Sequence, residues 1–576
     1  MTTFFTRIFL LCLAAILAAC SSTPLPPWPA KTAKTAGRPA ASPPAAGDSR
    51  VAGSVAIASP VALPPAVGGA AAVQAAATGP AVAARFPDPS ARYVTPGLAS
   101  GRRAPTTAAE LAEWLQQLTT QQGTTRVQLR AIGRSQRGLP IHALLLTQAR
   151  ATHIAAVEAS GRPTVLLVGQ QQGDAAASSE ALLVLARELA PGGLLESLLA
   201  HINVLIVPRA NPDGAETGQA TTANGIPLTS DHMLLRTPEA QALARLVRDW
   251  RPLVVVDAHE YPVNGPVLQT WRVLPRHDVL LQYAATAGVP EFITKAAQEW
   301  YYPALTNALT QAGLSHEWYY STRDAAEAQR ITSGSTLADS LHNASSLKNA
   351  IGLRISTRGA DLGQIHIQRR VHAQVIALSS ALRTTAERAS QLEQIRTFVA
   401  RDTANQACQG EMPLHATATP AARDLLVLEP RSGADKTLRV RWESSQQLAL
   451  RESRTRPCGY WLTAHATAAV ERLKLLGLQV LRVAEPGNVQ VESYPKTARN
   501  LVELNNDPRH YSLQRNTVQA PPGSYFVSLR QPWAHLAVAA LEADVPGSYF
   551  AHGILADVQD SARVMAQPAL IFEEPD

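Results

Sequence analysis

The sequence predicts an α/β fold, with a smaller α+β or β-rich unit behind it, on three observations. From about Thr106, short apolar runs alternate with helical patterns. Several of those runs are apolar at every position, as in strands covered on both faces. After about Asp402 the pattern changes again, to shorter alternating strands and one helix.

Taken in order, Leu111, Trp114, Leu115 and Leu118 share one face of a first helix, and Val127 to Leu129 follow as a strand. Pro163-Thr-Val-Leu-Leu-Val-Gly169 is a covered strand, followed by a helix carrying Leu182, Leu183, Leu185 and Leu189. Ile202 to Val207 and Leu253 to Asp257 repeat the strand signature, with Asn211-Pro-Asp-Gly214 between them as a turn. A long helix from about Ile365 to Val399 closes this part. Beyond it, Leu425 to Leu428, Leu438 to Trp442 and Val480 to Val483 are expected strands, and Ala466 to Leu476 a helix. Pro522-Gly-Ser-Tyr-Phe526 recurs as Pro546-Gly-Ser-Tyr-Phe550, each a Pro-Gly turn feeding an aromatic strand residue.

The first residues have the order of an export signal: Arg7, then the apolar run Ile8 to Leu17, then Leu17-Ala-Ala-Cys20. That tetrapeptide resembles a bacterial lipobox, which implies a lipid on Cys20. With Ser21 next, it implies a place on the periplasmic side of the outer membrane. An ordinary secretory leader with an incidental Cys20 is the other reading. Residues 21–80 contain 18 Ala and 11 Pro, a composition that builds no packed core. The expected organisation is therefore a signal over 1–20, a disordered tether over 21–103, a folded domain over 104–402 and an accessory unit of unknown role over 403–576. No later apolar stretch is long enough to span a bilayer.

The net charge of +7 is concentrated at the start: residues 1–85 hold six basic side chains and one acid, leaving +2 for the rest. A near-neutral folded part gives no footprint for nucleic acid. Cys408 and Cys458 are the only cysteines after the signal, and an oxidising compartment favours their pairing. No Gly-x-Ser-x-Gly elbow, phosphate-binding loop or Cys-x-x-Cys occurs. Trp300-Tyr-Tyr302 and Trp318-Tyr-Tyr320 offer a sugar or peptide platform, or ordinary packing.

Chemistry is expected where strands end. The loops there are Gln170-Gln-Gln172-Gly-Asp-Ala175, Asn211-Pro-Asp-Gly214, Asn224-Gly-Ile226, Asp257-Ala-His259-Glu260 and Ile355-Ser356-Thr-Arg-Gly359. With Gly133-Arg-Ser-Gln-Arg-Gly138 upstream, this frame resembles the zinc metallocarboxypeptidase family, the carboxypeptidase A/B-like funnelins, from about Thr106 to Asp402. The resemblance implies a mixed, mostly parallel eight-stranded sheet between helices. It also implies one zinc held by His-x-x-Glu and a distant His, a glutamate that activates the metal-bound water, and arginines that grip the substrate carboxylate.

The sequence departs from that pattern at the residues that carry the chemistry. Gln172 and Ala175 stand at the His and Glu ligand positions, and only His259 matches a ligand. Ser356 stands at the catalytic Glu, and Ser230 at the carboxylate-gripping Arg. A rearranged metal site would draw on Asp174, Glu180, His232 or Glu260 beside His259. Each also has a bland reading: Asp174 in a turn, Glu180 on a solvated helix face, His232 in a loop, Glu260 paired at the surface. Two function classes remain. One is a membrane-anchored, catalytically inactive carboxypeptidase homologue, without cofactor, that binds peptides or cell-wall peptides. The other is an active zinc hydrolase with a rearranged site.

Overall fold

Thr107 accepts a hydrogen bond from the Glu110 backbone while the Glu110 carboxylate accepts one from the Thr107 N–H, and this capping box starts α1 (Ala108–Thr119). Leu111, Leu115 and Leu118 form its buried stripe. The computed structural model describes residues 79–265, 270–321, 330–494 and 513–574. The signal, Cys20 and the tether up to residue 78 lie outside the described residues. The described residues fall in one compact unit, and none of the described helices is long and apolar enough to cross a membrane.

In chain order the first part contains β1 (Arg126–Arg134), β2 (Pro140–Thr147), β3 (Thr164–Gly169), α2 (Ala176–Leu189), β4 (Asn203–Val207), α3 (Pro238–Trp250) and β5 (Val254–Tyr261). There follow β6 (Leu274–Pro275), β7 (Val279–Tyr283), β8 (His316–Trp318), β9 (Arg330–Ser333), α4 (Leu341–Ser346), β10 (Ile351–Arg358), α5 (Ile367–Glu387) and α6 (Ala389–Asn405). Eight of these strands make a mixed sheet in the order β1-β2-β4-β3-β5-β10-β7-β8. The central strands β4, β3, β5 and β10 run parallel. The reason is legible locally: β3, β4 and β5 are buried along their whole length, with helices on both faces.

The expected helix over 365–399 is two helices, because Arg388 leaves helical geometry (φ −106°, ψ 11°) and lays its guanidinium over the Trp300 ring. The expected tether also ends early. A short helix at Pro80–Ala83 buries Val82, and Phe86 and Leu98 are buried too, so residues from Pro80 onward are packed. Phe86 lies beneath the Arg358 guanidinium, which no Ala/Pro count reveals.

A second sheet joins β6 and β9 to a long hairpin, β11 (Glu411–Leu428) and β12 (Asp435–Thr455), in the order β6-β11-β12-β9. The regions before and after residue 402 thus share a sheet. The third sheet is built from β13 (Gly459–Leu462), β14 (Leu481–Arg482), β15 (Gly487–Ser493), β16 (Gln514–Ala520), β17 (Tyr525–Ser528) and β18 (Ser561–Val564). It packs with α7 (Thr467–Leu476) and α8 (Ala534–Leu541). A disulfide joins Cys408, just after α6, to Cys458, just before β13. Of the two Pro-Gly-Ser-Tyr-Phe copies, the first feeds β17 through Gly523 at φ +83°. The second ends in a turn with Tyr549 and Phe550 buried, so its expected strand is absent.

Candidate functional site

The parallel strands β3, β5 and β10 end at one edge of the sheet, and the loops that leave them are bound to each other. Asn211 caps a short helix at Pro212–Thr217 by accepting from the Gly214 N–H, and its amide donates to the carbonyls of Gln171 and Thr221. Asp213 accepts from the Ser135 hydroxyl at 2.6 Å and the Arg137 N–H at 3.0 Å, so the Gly133–Gly138 turn is clamped to this helix. A Cβ at Gly173 would lie 2.0 Å from the Gly214 carbonyl carbon, which explains glycine there. The loop framework of the sequence is thus a set of mutual hydrogen bonds.

Register brings two strands' residues together. Asp257 and His259 on β5 pair with Arg354 and Ser356 on β10, placing all four on one sheet face. His259 is fully buried, with Nε2 2.7 Å from Asp257 Oδ1. Asp257 also accepts from the Gln171 amide, and His342 Nδ1 of α4 lies 3.7 Å from its second oxygen. Gln171 Oε1 is 2.6 Å from His232 Nε2, which extends the network to a third buried imidazole. Ser356 Oγ accepts from Arg354 Nε at 3.3 Å, and the Arg354 guanidinium covers the Tyr319 ring at 4.2 Å.

Burial keeps the three imidazoles neutral, drawing His232 down to about 4 and lowering His259 and His342 despite the attraction of Asp257. Burial pushes the Asp257 carboxyl up. The neighbouring His259, the hydrogen bonds from His259 and His342, and Arg354 outweigh it and hold the group well below the usual carboxylate range. The cluster is a buried anion surrounded by donors.

The donor set does not suit the zinc ion that the resemblance implies. Gln172 offers a neutral amide and Ala175, the N-cap of α2, offers no donor at all. Among the described residues, no three His, Cys, Asp or Glu side chains converge as metal ligands. Ser230 sits in a short 3₁₀ turn and donates to the Pro227 carbonyl. Asp174 lies in the turn before α2.

Two of the bland readings need correction. Glu180 does not face solvent: it is buried, accepting from the Thr106 N–H and hydroxyl at 3.0 and 2.9 Å and from Thr95. Glu260 is paired, but in the interior and on the sheet face opposite His259. It accepts from the Ala177 N–H at 2.9 Å and from Arg370 at 2.6 and 2.7 Å. From sequence, a helix face or strand end reads as exposed, because the elements that cover it are distant in the chain. Trp318, Tyr301 and Tyr320 are buried as well, with Tyr283 and Tyr302 edge-on to Trp318, so these rings serve in packing, while Trp300 and Tyr319 are half-buried. Arg354 is the cation that sequence reasoning missed. Its signal was the two-residue period from Ser356 on a strand.

Residues 111–237 match the sequence family described as zinc carboxypeptidase. Carboxypeptidase 2 of Trichophyton rubrum is 22% identical over 406 residues, spanning 68% of this chain and 74% of that protein. Carboxypeptidase D of Homo sapiens is 37% identical over 105 residues, 15% of this chain and 8% of that one. Among solved structures, carboxypeptidase A from Helicoverpa armigera superposes with a TM-score of 0.38 at 13% identity, covering 55% of this chain and 80% of that one. Residues 111–237 thus carry a zinc-carboxypeptidase match, and likeness to curated carboxypeptidases extends over about two thirds of the chain.

Proposed function

We propose that this protein is a catalytically inactive metallocarboxypeptidase homologue that holds peptide ends, tethered to a membrane through a lipid on Cys20. The observation that carries the reading is the state of His259. The one matching ligand is engaged by Asp257, while Gln172 and Ala175 stand at its partner positions. Ser356 supplies no carboxylate to take a proton from water. Arg354, half-buried on the same face, is the cation available to a peptide carboxylate. Cell-wall peptides are the substrate class that an outer-membrane location would offer.

Metal analysis of the purified protein, prepared without chelator, tests this together with C-terminal trimming of peptides. The expected result is well below one zinc per chain and no turnover. Stoichiometric zinc, with turnover lost in His259→Ala, would establish instead an active hydrolase with a rearranged metal site. Gln172→His with Ala175→Glu should introduce zinc binding, and activity should remain absent until Ser356→Glu is added. Peptide binding should weaken when the C-terminus is amidated or Arg354 is changed to Gln. The anchor is tested by Cys20→Ala, which should abolish lipid labelling; equal absence of lipid in the unmodified chain would sink that part.

A further inference from the structure

At the opposite edge of the sheet, where β3, β5 and β10 begin, lies a cavity of about 810 Å³ lined by Thr164, Pro252 and Ala350. Its volume is that of a small-molecule site. One wall is α6, which presents Glu393, Arg396, Thr397, Ala400 and Arg401 at helical spacing; another is Gln531 to Trp533 from the segment before α8. Five basic side chains line it, Arg162, Arg251, Lys348, Arg396 and Arg401, against Glu158 and Glu393. Glu393 is engaged by Arg396 at 2.6 Å. Among the described residues no carboxylate forms an ion pair with the other four cations.

The floor is more telling than the rim. Lys348, in the turn between α4 and β10, is only 8% exposed, and its Nζ lies 5.5 Å from the centroid of the Trp533 ring. Beside it Asn349 is held at φ +65° and donates to the Pro532 carbonyl at 2.8 Å, while its Oδ1 is buried without a hydrogen-bond partner. Arg162 Nη1 is likewise buried and without a partner. Buried polar atoms in native proteins are nearly always satisfied. Here a cation, a guanidinium and an amide, the last two with a buried unpartnered atom, belong to residues that line one cavity.

We propose that this cavity is a binding site for a small, hydroxyl-bearing organic anion. Its carboxylate or phosphate would sit among Lys348, Arg162 and Arg401, a hydroxyl would donate to Asn349 Oδ1, and its C–H face would lie against Trp533. A bound anion would restore to Lys348 the counter-charge it lacks. Burial, with Arg248 nearby, draws that amine down to about 7. The site lies at the other end of the strands from His259, so its occupancy and the proposed peptide-end binding are separable.

Calorimetric titration of the full chain at low salt with glucose 6-phosphate, glucuronate, glucose and inorganic phosphate tests the assignment. Saturable binding of one of the two sugar anions is expected, at least tenfold tighter than glucose and than inorganic phosphate, and weakening with salt. Preference between them identifies phosphate or carboxylate as the recognised group. Lys348→Met should weaken that binding at least tenfold. Arg401→Gln, at the exposed rim where folding is not at risk, should weaken it about three- to fivefold. No saturable binding by either sugar anion, glucose binding as tightly as both, or affinities unchanged in both variants would overturn the proposal. Inorganic phosphate binding as tightly as glucose 6-phosphate would remove the hydroxyl-bearing part of it.

Discussion

The two edges of the central sheet carry opposite solutions to buried charge. Where the strands end, Asp257 is ringed by Gln171, His259 and His342, and Glu260 is gripped by Arg370; the carboxylates have donors. Where the strands begin, Lys348 and Arg162 face a cavity with no carboxylate partner among the described residues. The contrast teaches that the buried carboxylates at one edge have counter-charges or donors within the chain, while the cations at the other edge have no carboxylate partner among the described residues. A buried charge that is compensated within the chain belongs to the fold, and one left without a counter-charge points to a ligand.

This contrast can be broken or sharpened by four substitutions. Asp257→Ala should have the largest effect, a loss of about 4 kcal/mol in urea unfolding, because it leaves Gln171 and two imidazoles without their acceptor. A loss under about 1 kcal/mol would mean the cluster is not structural. Arg370→Met should cost about 3 kcal/mol, since Glu260 would remain buried and unpaired.

Lys348→Met should act in the other direction. The folded amine titrates near 7 against 10.5 in the open chain, so between those values the unfolded state holds the extra proton. Stability of the unmodified protein should therefore rise with pH across that window. The variant should be the more stable of the two at pH 6, with the difference shrinking as pH rises from 7 and vanishing above pH 10.5. Thermal melts that show no pH-dependent difference between the two proteins would contradict the burial of a lone ammonium. Arg401→Gln should leave stability within about 0.5 kcal/mol, as expected of an exposed side chain whose role is in binding.

The central strands were legible because full burial writes itself as an unbroken apolar run, and β3, β4 and β5 each carry one. The positions of Gln172, His259 and Ser356 at strand ends followed from those runs. What joins them did not. Arg354 and Ser356 meet Asp257 and His259 only through the β5–β10 register, and these strands are about a hundred residues apart in sequence. His342 and His232 come from a short helix and a loop that no periodicity marks. The second sheet was hidden for a related reason: β6 is two residues long and β9 four, too short for any alternation to show.

That second sheet also sets a timetable. Pro275 pairs with Val427 and Arg330 with Arg441, so two strands synthesised early must wait for a hairpin made much later. During synthesis the edges of β6 and β9 are without partners while most of the α/β part already exists, and non-local pairing of this kind is slow. The nascent chain is thus most open to wrong pairing in the interval before residue 455 appears. A chain stopped near residue 402 would never leave that interval.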